Sequence, residues 1–99
     1  MKLCMIGTGY VGLVSGVCFS DIGNTVYCVD KDQKKIDLLN KGITPIFEPG
    51  LEEILKRNYK QNRLIFTSDL KKAVTNSDII FICVGTCLLY TSDAADDLT

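Results

Sequence analysis

The chain has 99 residues, 46% of them hydrophobic and 23% charged, and a formal net charge of −1, which is ordinary globular usage with a feasible but small core. Its basic residues are spread over predicted helices and loops, which leaves no electrostatic footprint for nucleic acid, and its apolar runs are too short to span a bilayer. Histidine is absent, removing the commonest metal ligand and acid–base group, so no metal site is expected.

The first predicted element is a buried strand, Leu3 to Ile6, a short apolar run bounded by a glycine. It breaks at Gly7-Thr8-Gly9-Tyr10-Val11-Gly12, a G-x-G-x-x-G directly after a strand and at the mouth of a helix. In a dinucleotide-binding loop of this kind the first glycine allows a tight turn and the second lets a pyrophosphate approach the backbone. The third lets helix and strand pack closely. The helix start adds unpaired N–H groups and about half a positive charge, which suits a diphosphate. A glycine-rich turn with no ligand remains the alternative. Val11, Leu13, Val14, Val17, Cys18 and Ile22 then recur at helical spacing, Gly12 and Gly16 leave one side nearly bare for the sheet, and Gly23-Asn24 supply a stop.

Thr25 to Val29 is the second strand, and it ends at Asp30, 18 residues beyond Gly12. That is near the spacing of about 20 at which an acid holds the adenosine ribose hydroxyls. A carboxylate there repels a ribose 2′-phosphate and so favours NAD over NADP. A helix N-cap or strand-end turn would use an aspartate equally well. Lys31, Lys34 and Lys35 follow, and one of them is a candidate to flank the adenosine. Gln33 to Lys41 reads as a short helix with Ile36, Leu39 and Leu38 facing inward, ended by Gly42.

The segment Ile43 to Gly50, ITPIFEPG, holds both prolines. It reads as a stiff extended loop, with Pro49 placed to open the next helix. With its one acid, Glu48, the loop either borders a ligand or simply packs. Leu51, Ile54, Leu55 and Tyr59 continue at helical spacing, with Glu52 and Glu53 in the first turn and Lys56 and Arg57 later, an order that suits the helix dipole. Leu64 to Thr67 is a third strand. Ser68 or Asp69 caps a brief helix carrying Leu70, Ala73 and Val74. Ile79 to Val84 is continuously apolar, as expected of a strand covered on both faces, and leads into Gly85-Thr86.

Alternating strands and helices argue for an α/β fold, a Rossmann-like doubly wound parallel sheet of order 3-2-1-4 that stops after its fourth strand. The ligand crevice then lies between the first and fourth strands. Four of the five cysteines have a packing role: Cys4, Cys28 and Cys83 fall in predicted strands and Cys18 on a predicted helix, where cysteine acts as a small buried hydrophobe. No C-x-x-C pair is present. An odd cysteine count without a signal peptide points to the reducing cytoplasm.

With these pieces placed, the chain resembles the N-terminal part of the UDP-glucose/GDP-mannose dehydrogenase family, and the UDP-glucose 6-dehydrogenases in particular. The resemblance is carried by IGTGYVGLVSG, by Val29-Asp30, by PIFEPGLEE from Pro45 to Glu53 and by FICVGT closing at Thr86, and it covers residues 1–86. It implies that Gly7, Thr8, Gly9, Tyr10, Val11 and Gly12 form the pyrophosphate loop. Asp30 then matches the ribose-binding acid, Lys35 a basic residue near the adenosine, and Thr86 a threonine close to the nicotinamide. It also implies NAD as cofactor, UDP-glucose as the parent's substrate, oxidation to UDP-glucuronate in two hydride transfers, and a homo-oligomeric parent. GDP-mannose and UDP-N-acetylsugar relatives are the neighbouring possibilities, and a dinucleotide-binding regulatory module is the non-enzymatic one. The family's nucleophilic cysteine, its lysine and aspartate helpers and the sugar site lie downstream of residue 86, so no catalytic residue is expected in the chain, and Cys83 is read as part of a buried strand.

From Cys87 the pattern breaks. The family expects a proline, whereas residues 87–99 read CLLYTSDAADDLT. Cys87 to Asp96 matches one translated frame of a transposon-end adapter used in preparing DNA sequencing libraries. The expected organisation is therefore a partial NAD-binding domain over 1–86 and a tail over 87–99 foreign to it. Such a truncation opens an edge on the fourth strand, and the isolated chain is expected to be marginally stable or to aggregate.

Overall fold

Four apolar runs pair into one parallel sheet. In the computed structural model, which describes residues 1–44, 46 and 48–83, the strands are β1 (Lys2–Ile6), β2 (Thr25–Val29), β3 (Leu64–Thr67) and β4 (Ile79–Ile82). Their order is β3-β2-β1-β4, as expected, and every pairing is parallel. Residues 84–99, which include Thr86 and the tail, lie outside the described residues, as do Pro45 and Phe47.

The period-two alternation of the strands sorts the core. Leu3 and Met5, Val26 and Cys28, and Leu64 and Phe66 point to one face, which is covered by α1 (Tyr10–Asp21), α2 (Gln33–Asn40) and α3 (Leu51–Lys60). Cys4 and Val29 belong to a smaller cluster on the other face with Ala73, from α4 (Leu70–Thr75). In α1 the buried positions are Gly12, Leu13, Gly16, Val17 and Ser20, a single stripe. Gly16 is needed there because a Cβ would come within 2.8 Å of the Cys28 Sγ. The helix stops where expected: Gly23 takes φ +108°, and the Gly23 and Asn24 N–H groups return to the Ser20 and Phe19 carbonyls, satisfying the last turn.

Several expected burials do not occur, each for a geometric reason. Val11, Ile22 and Cys18 are exposed, because the α1 stripe centres on Leu13 and Val17 and leaves them on its flanks. Leu38 is exposed while Ile36 and Leu39 are buried, since two residues along a helix is more than half a turn. The helix after the proline loop opens at Leu51 with Gly50 as its N-cap in the left-handed region, φ +81°, so Pro49 precedes the helix rather than opening it.

β4 is not covered on both faces. Phe81 faces α1 and stacks on Phe19 with ring centroids 5.5 Å apart. Ile80 and Ile82 share the α4 side, in register with Cys4 and Ile6. They are 42% and 74% exposed, because the six-residue α4 lies over β1 and β2 and does not reach them.

Candidate functional site

The carboxyl ends of the strands converge on a cleft of roughly 540 Å³, within the range that small-molecule sites occupy. Its centre is the turn after β1. Gly7 adopts φ +106°, a conformation that glycine alone reaches without strain, and its N–H donates to the Val29 carbonyl at 2.7 Å. Gly12 sits where helix and turn touch: a Cβ there would fall 2.0 Å from the Gly7 carbonyl oxygen. Gly9 differs from both. It is the N-cap of α1, it makes no side-chain cap hydrogen bond, and none of the described residues lies within 4 Å of where its Cβ would be.

That open space has an electrostatic partner. The N–H groups of the first helical turn have no intrahelical acceptor, and α1 carries no acidic residue in its first turn. By contrast, α3 neutralises its own start with Glu52 and Glu53, and α2 is capped by the Asp32 carboxylate, which accepts from the Lys34 N–H. Among the described residues, only α1 of these three helices leaves its positive end uncompensated by side chains, and it does so beside a cleft. A diphosphate fits that end by charge, hydrogen bonding and space.

Asp30 lines the same cleft. Its Oδ2 accepts the Thr8 N–H at 3.1 Å and the Thr8 hydroxyl at 2.6 Å, and its Oδ1 accepts the Asp32 N–H at 2.9 Å. The Lys35 Nζ stands 3.9 Å from Oδ2. Burial on its own would raise the Asp30 carboxyl, but the Thr8 hydroxyl, the two N–H groups and the Lys35 ammonium outweigh it and hold the acid below its ordinary value. Asp30 is therefore a carboxylate across the physiological range. It is not the α2 N-cap, a role that Asp32 takes.

Of the residues singled out in the sequence, Gly7, Thr8, Gly9, Asp30 and Lys35 meet at the cleft. Tyr10 and Val11 stand exposed at the start of α1 beside it, and Gly12 is spent on the helix–sheet contact. Thr86 is outside the described residues. Tyr10 reaches back to the proline loop, where its hydroxyl donates to Glu48 Oε1. That bond pushes the Tyr10 phenol upward. Five lining residues carry no site expectation from the sequence: Ile6, Val29, Ser68, Leu70 and Cys83. Ser68 and Leu70 follow β3 as Asp30 follows β2, so strand-end position was the available signal. Cys83 lies just beyond β4, half-buried, with its N–H on the Ile6 carbonyl. It is a cleft residue, not part of a buried strand. Cys28, by contrast, is fully enclosed, and burial pushes its thiol up to about 12, which makes it inert.

A parallel sheet with an uncapped glycine turn after β1 and an acid after β2 defines a dinucleotide-binding α/β domain. Comparison with known proteins narrows the class. The family model described as UDP-glucose/GDP-mannose dehydrogenase family, NAD binding domain, matches residues 1–99, and the chain belongs to that family. The UDP-glucose 6-dehydrogenase of Rhizobium meliloti (strain 1021) is 62% identical over 86 residues, 87% of this chain and 20% of that protein. UDP-glucose 6-dehydrogenase TuaD of Bacillus subtilis (strain 168) is 52% identical over 98 residues, 99% of this chain and 21% of that protein. A crystal structure of a ternary complex of GDP-mannose dehydrogenase from Pseudomonas aeruginosa superposes with a TM-score of 0.83 at 50% identity, covering 87% of this chain and 20% of that one. The chain thus spans about one fifth of the length of the curated relatives it matches. NAD is the cofactor of the domain. Among the described residues no helix is long and apolar enough to cross a membrane.

Proposed function

We propose that this chain is the cofactor-binding N-terminal portion of a UDP-glucose 6-dehydrogenase, a cytoplasmic homo-oligomer that oxidises UDP-glucose to UDP-glucuronate with two NAD. Within it, the turn from Gly7 to Gly12 seats the pyrophosphate against the α1 start at Gly9, Asp30 holds the adenosine ribose with Lys35 beside it, and Thr86 meets the nicotinamide end. The nucleophile, its helpers and the sugar site belong to the remainder of the parent, so the 99 residues bind cofactor without turning over substrate. One observation carries the reading: an uncapped α1 start and a fixed carboxylate face one cleft in a chain of this family. The sugar rests on identity to the named relatives, 62% and 52% for UDP-glucose enzymes against 50% for the GDP-mannose enzyme. That margin keeps GDP-mannose as the second reading.

Titration calorimetry on the chain is expected to show NAD binding and NADP binding at least tenfold weaker, as charge repulsion at Asp30 requires. Equal binding of the two would remove Asp30 from the ribose site. The parent reading frame, expressed whole, is expected to reduce NAD with UDP-glucose in preference to GDP-mannose, and the opposite preference would reassign the sugar.

A further inference from the structure

Thr8 is the second residue of a loop whose business is at the surface, yet it is 1% exposed. Both of its donors, N–H and hydroxyl, go to a single acceptor, Oδ2 of Asp30. The opposite carboxylate oxygen is tied to the Asp32 N–H. A carboxylate oxygen has two lone-pair directions, so those of Oδ2 are used within the protein, while Oδ1 keeps one for a ligand.

The surroundings of Asp30 would otherwise welcome a phosphate. Lys31 and Lys35 line the same cleft, and the Lys35 ammonium is 3.9 Å from the carboxylate. Were the Asp30 side chain free to turn aside, a ribose 2′-phosphate would meet two cations in place of one anion. Discrimination against NADP therefore needs an aspartate that cannot turn, beyond an aspartate as such. We propose that Thr8 is a positioning residue rather than a cofactor contact, and that its hydroxyl sets the preference for NAD by locking the Asp30 carboxylate in place. This rests on the ribose-binding role proposed for Asp30. It moves part of the specificity onto a side chain that touches no ligand.

The test is a set of substitutions in the chain, read by NAD and NADP affinity and by NMR titration of the Asp30 carboxyl. Thr8→Val keeps the shape and the N–H but loses the hydroxyl, and Thr8→Ala loses it without setting a methyl against the carboxylate. In whichever of the two folds, the ratio of NAD to NADP affinity is expected to fall about tenfold, the effect of one charge-assisted hydrogen bond. The Asp30 titration is expected to rise towards the ordinary value of about 3.9. The sign follows from the lowered native value: with the hydroxyl gone, the carboxylate takes its proton at higher pH, and NAD binding fails earlier on acidification. Thr8→Ser, which restores the donor, is expected to keep both readouts. In an Asp30→Asn background the Thr8 substitutions are expected to leave the ratio unmoved. An unchanged ratio and titration in Thr8→Val or Thr8→Ala overturns the proposal, as does a ratio that still shifts in the Asp30→Asn background. Equal binding of NAD and NADP by the unsubstituted chain overturns the role of Asp30 first, and the lock with it.

Discussion

Gly7 and Gly12 hold each other's places. Gly7 turns through a positive φ so that its carbonyl points at the first turn of α1, and Gly12 is the position that carbonyl occupies, 2.0 Å from where a Cβ would stand. Backbone cannot yield as a flexible side-chain tip can, so Gly12→Ala must push α1 off the sheet. A loss of about 3 kcal/mol is expected, at the upper end for overpacking, visible as a lower urea midpoint with an unchanged slope. Both glycines were legible in the sequence from the spacing of the motif alone. Thr8 was not: the motif marks it as a variable position, and only the fold shows that it turns inward to Asp30. The same limit applies to Cys83, whose apolar neighbours concealed that β4 ends one residue before it. Periodicity reports the face of a strand but not where the strand stops.

Among the elements, α3 is tied to α1 through polar groups that hydrophobic patterning cannot see. Asn58 is fully buried. Its Nδ2 donates to Asp21 Oδ1 at 3.0 Å and to the Ile54 carbonyl at 2.9 Å, and its Oδ1 accepts from the Arg63 Nε at 3.0 Å. Arg57 reaches the same Asp21 oxygen at 2.6 Å, and these donors lower the Asp21 carboxyl. Asn58 thereby joins the end of α1, the body of α3 and the entry to β3. Asn58→Leu retains the bulk but leaves Asp21 and Arg63 short of a partner, and is expected to cost about 2 kcal/mol, measured as a shift in thermal midpoint. Arg57→Ala, which removes an exposed partner of Asp21, is expected to shift the thermal midpoint much less than Asn58→Leu does. The helix itself was legible from Leu51, Ile54 and Leu55. Asn58 carries no such signal, because a polar residue in an amphipathic helix reads as solvent-facing. Element order and sheet order, by contrast, follow from local alternation and the right-handed crossover rule, which is why 3-2-1-4 is legible in the sequence.

Over the whole molecule, the apolar surface is unevenly closed. Among the described residues, one sheet face carries three helices and the other a six-residue helix. β4 pairs with β1 alone among the described residues, and its Ile79, Ile80 and Ile82 are exposed. An apolar edge strand is a template for association. The chain is therefore expected to melt at temperatures that depend on concentration and to form oligomers at raised concentration, seen by light scattering. Ile82→Lys is expected to suppress that association with under about 0.5 kcal/mol of change in stability, because the side chain is mostly in water. Unchanged scattering would place the association elsewhere. We further propose that residues 87–99 are foreign to the domain. The 86-residue alignment with the Rhizobium enzyme supports this, whereas the 98-residue alignment with TuaD runs past it. The coding DNA decides, since silent differences from the adapter at several codons would make the tail genuine.

On the pyrophosphate site proposed above, the bare N-cap at Gly9 would make the nucleotide a structural component of the fold. A diphosphate seated there would accept from the N–H groups of the helix start as a serine or aspartate side chain does at other helices, and α1, already formed over Tyr10–Asp21, would gain the cap it lacks. By mass action, nucleotide at a hundred times its dissociation constant adds about 2.7 kcal/mol to the folded state, a large share of what a domain of this size holds in reserve. The proportion of chains that survive unfolding and proteolysis would then rise and fall with the supply of dinucleotide, so that the cofactor governs the lifetime of the domain that binds it.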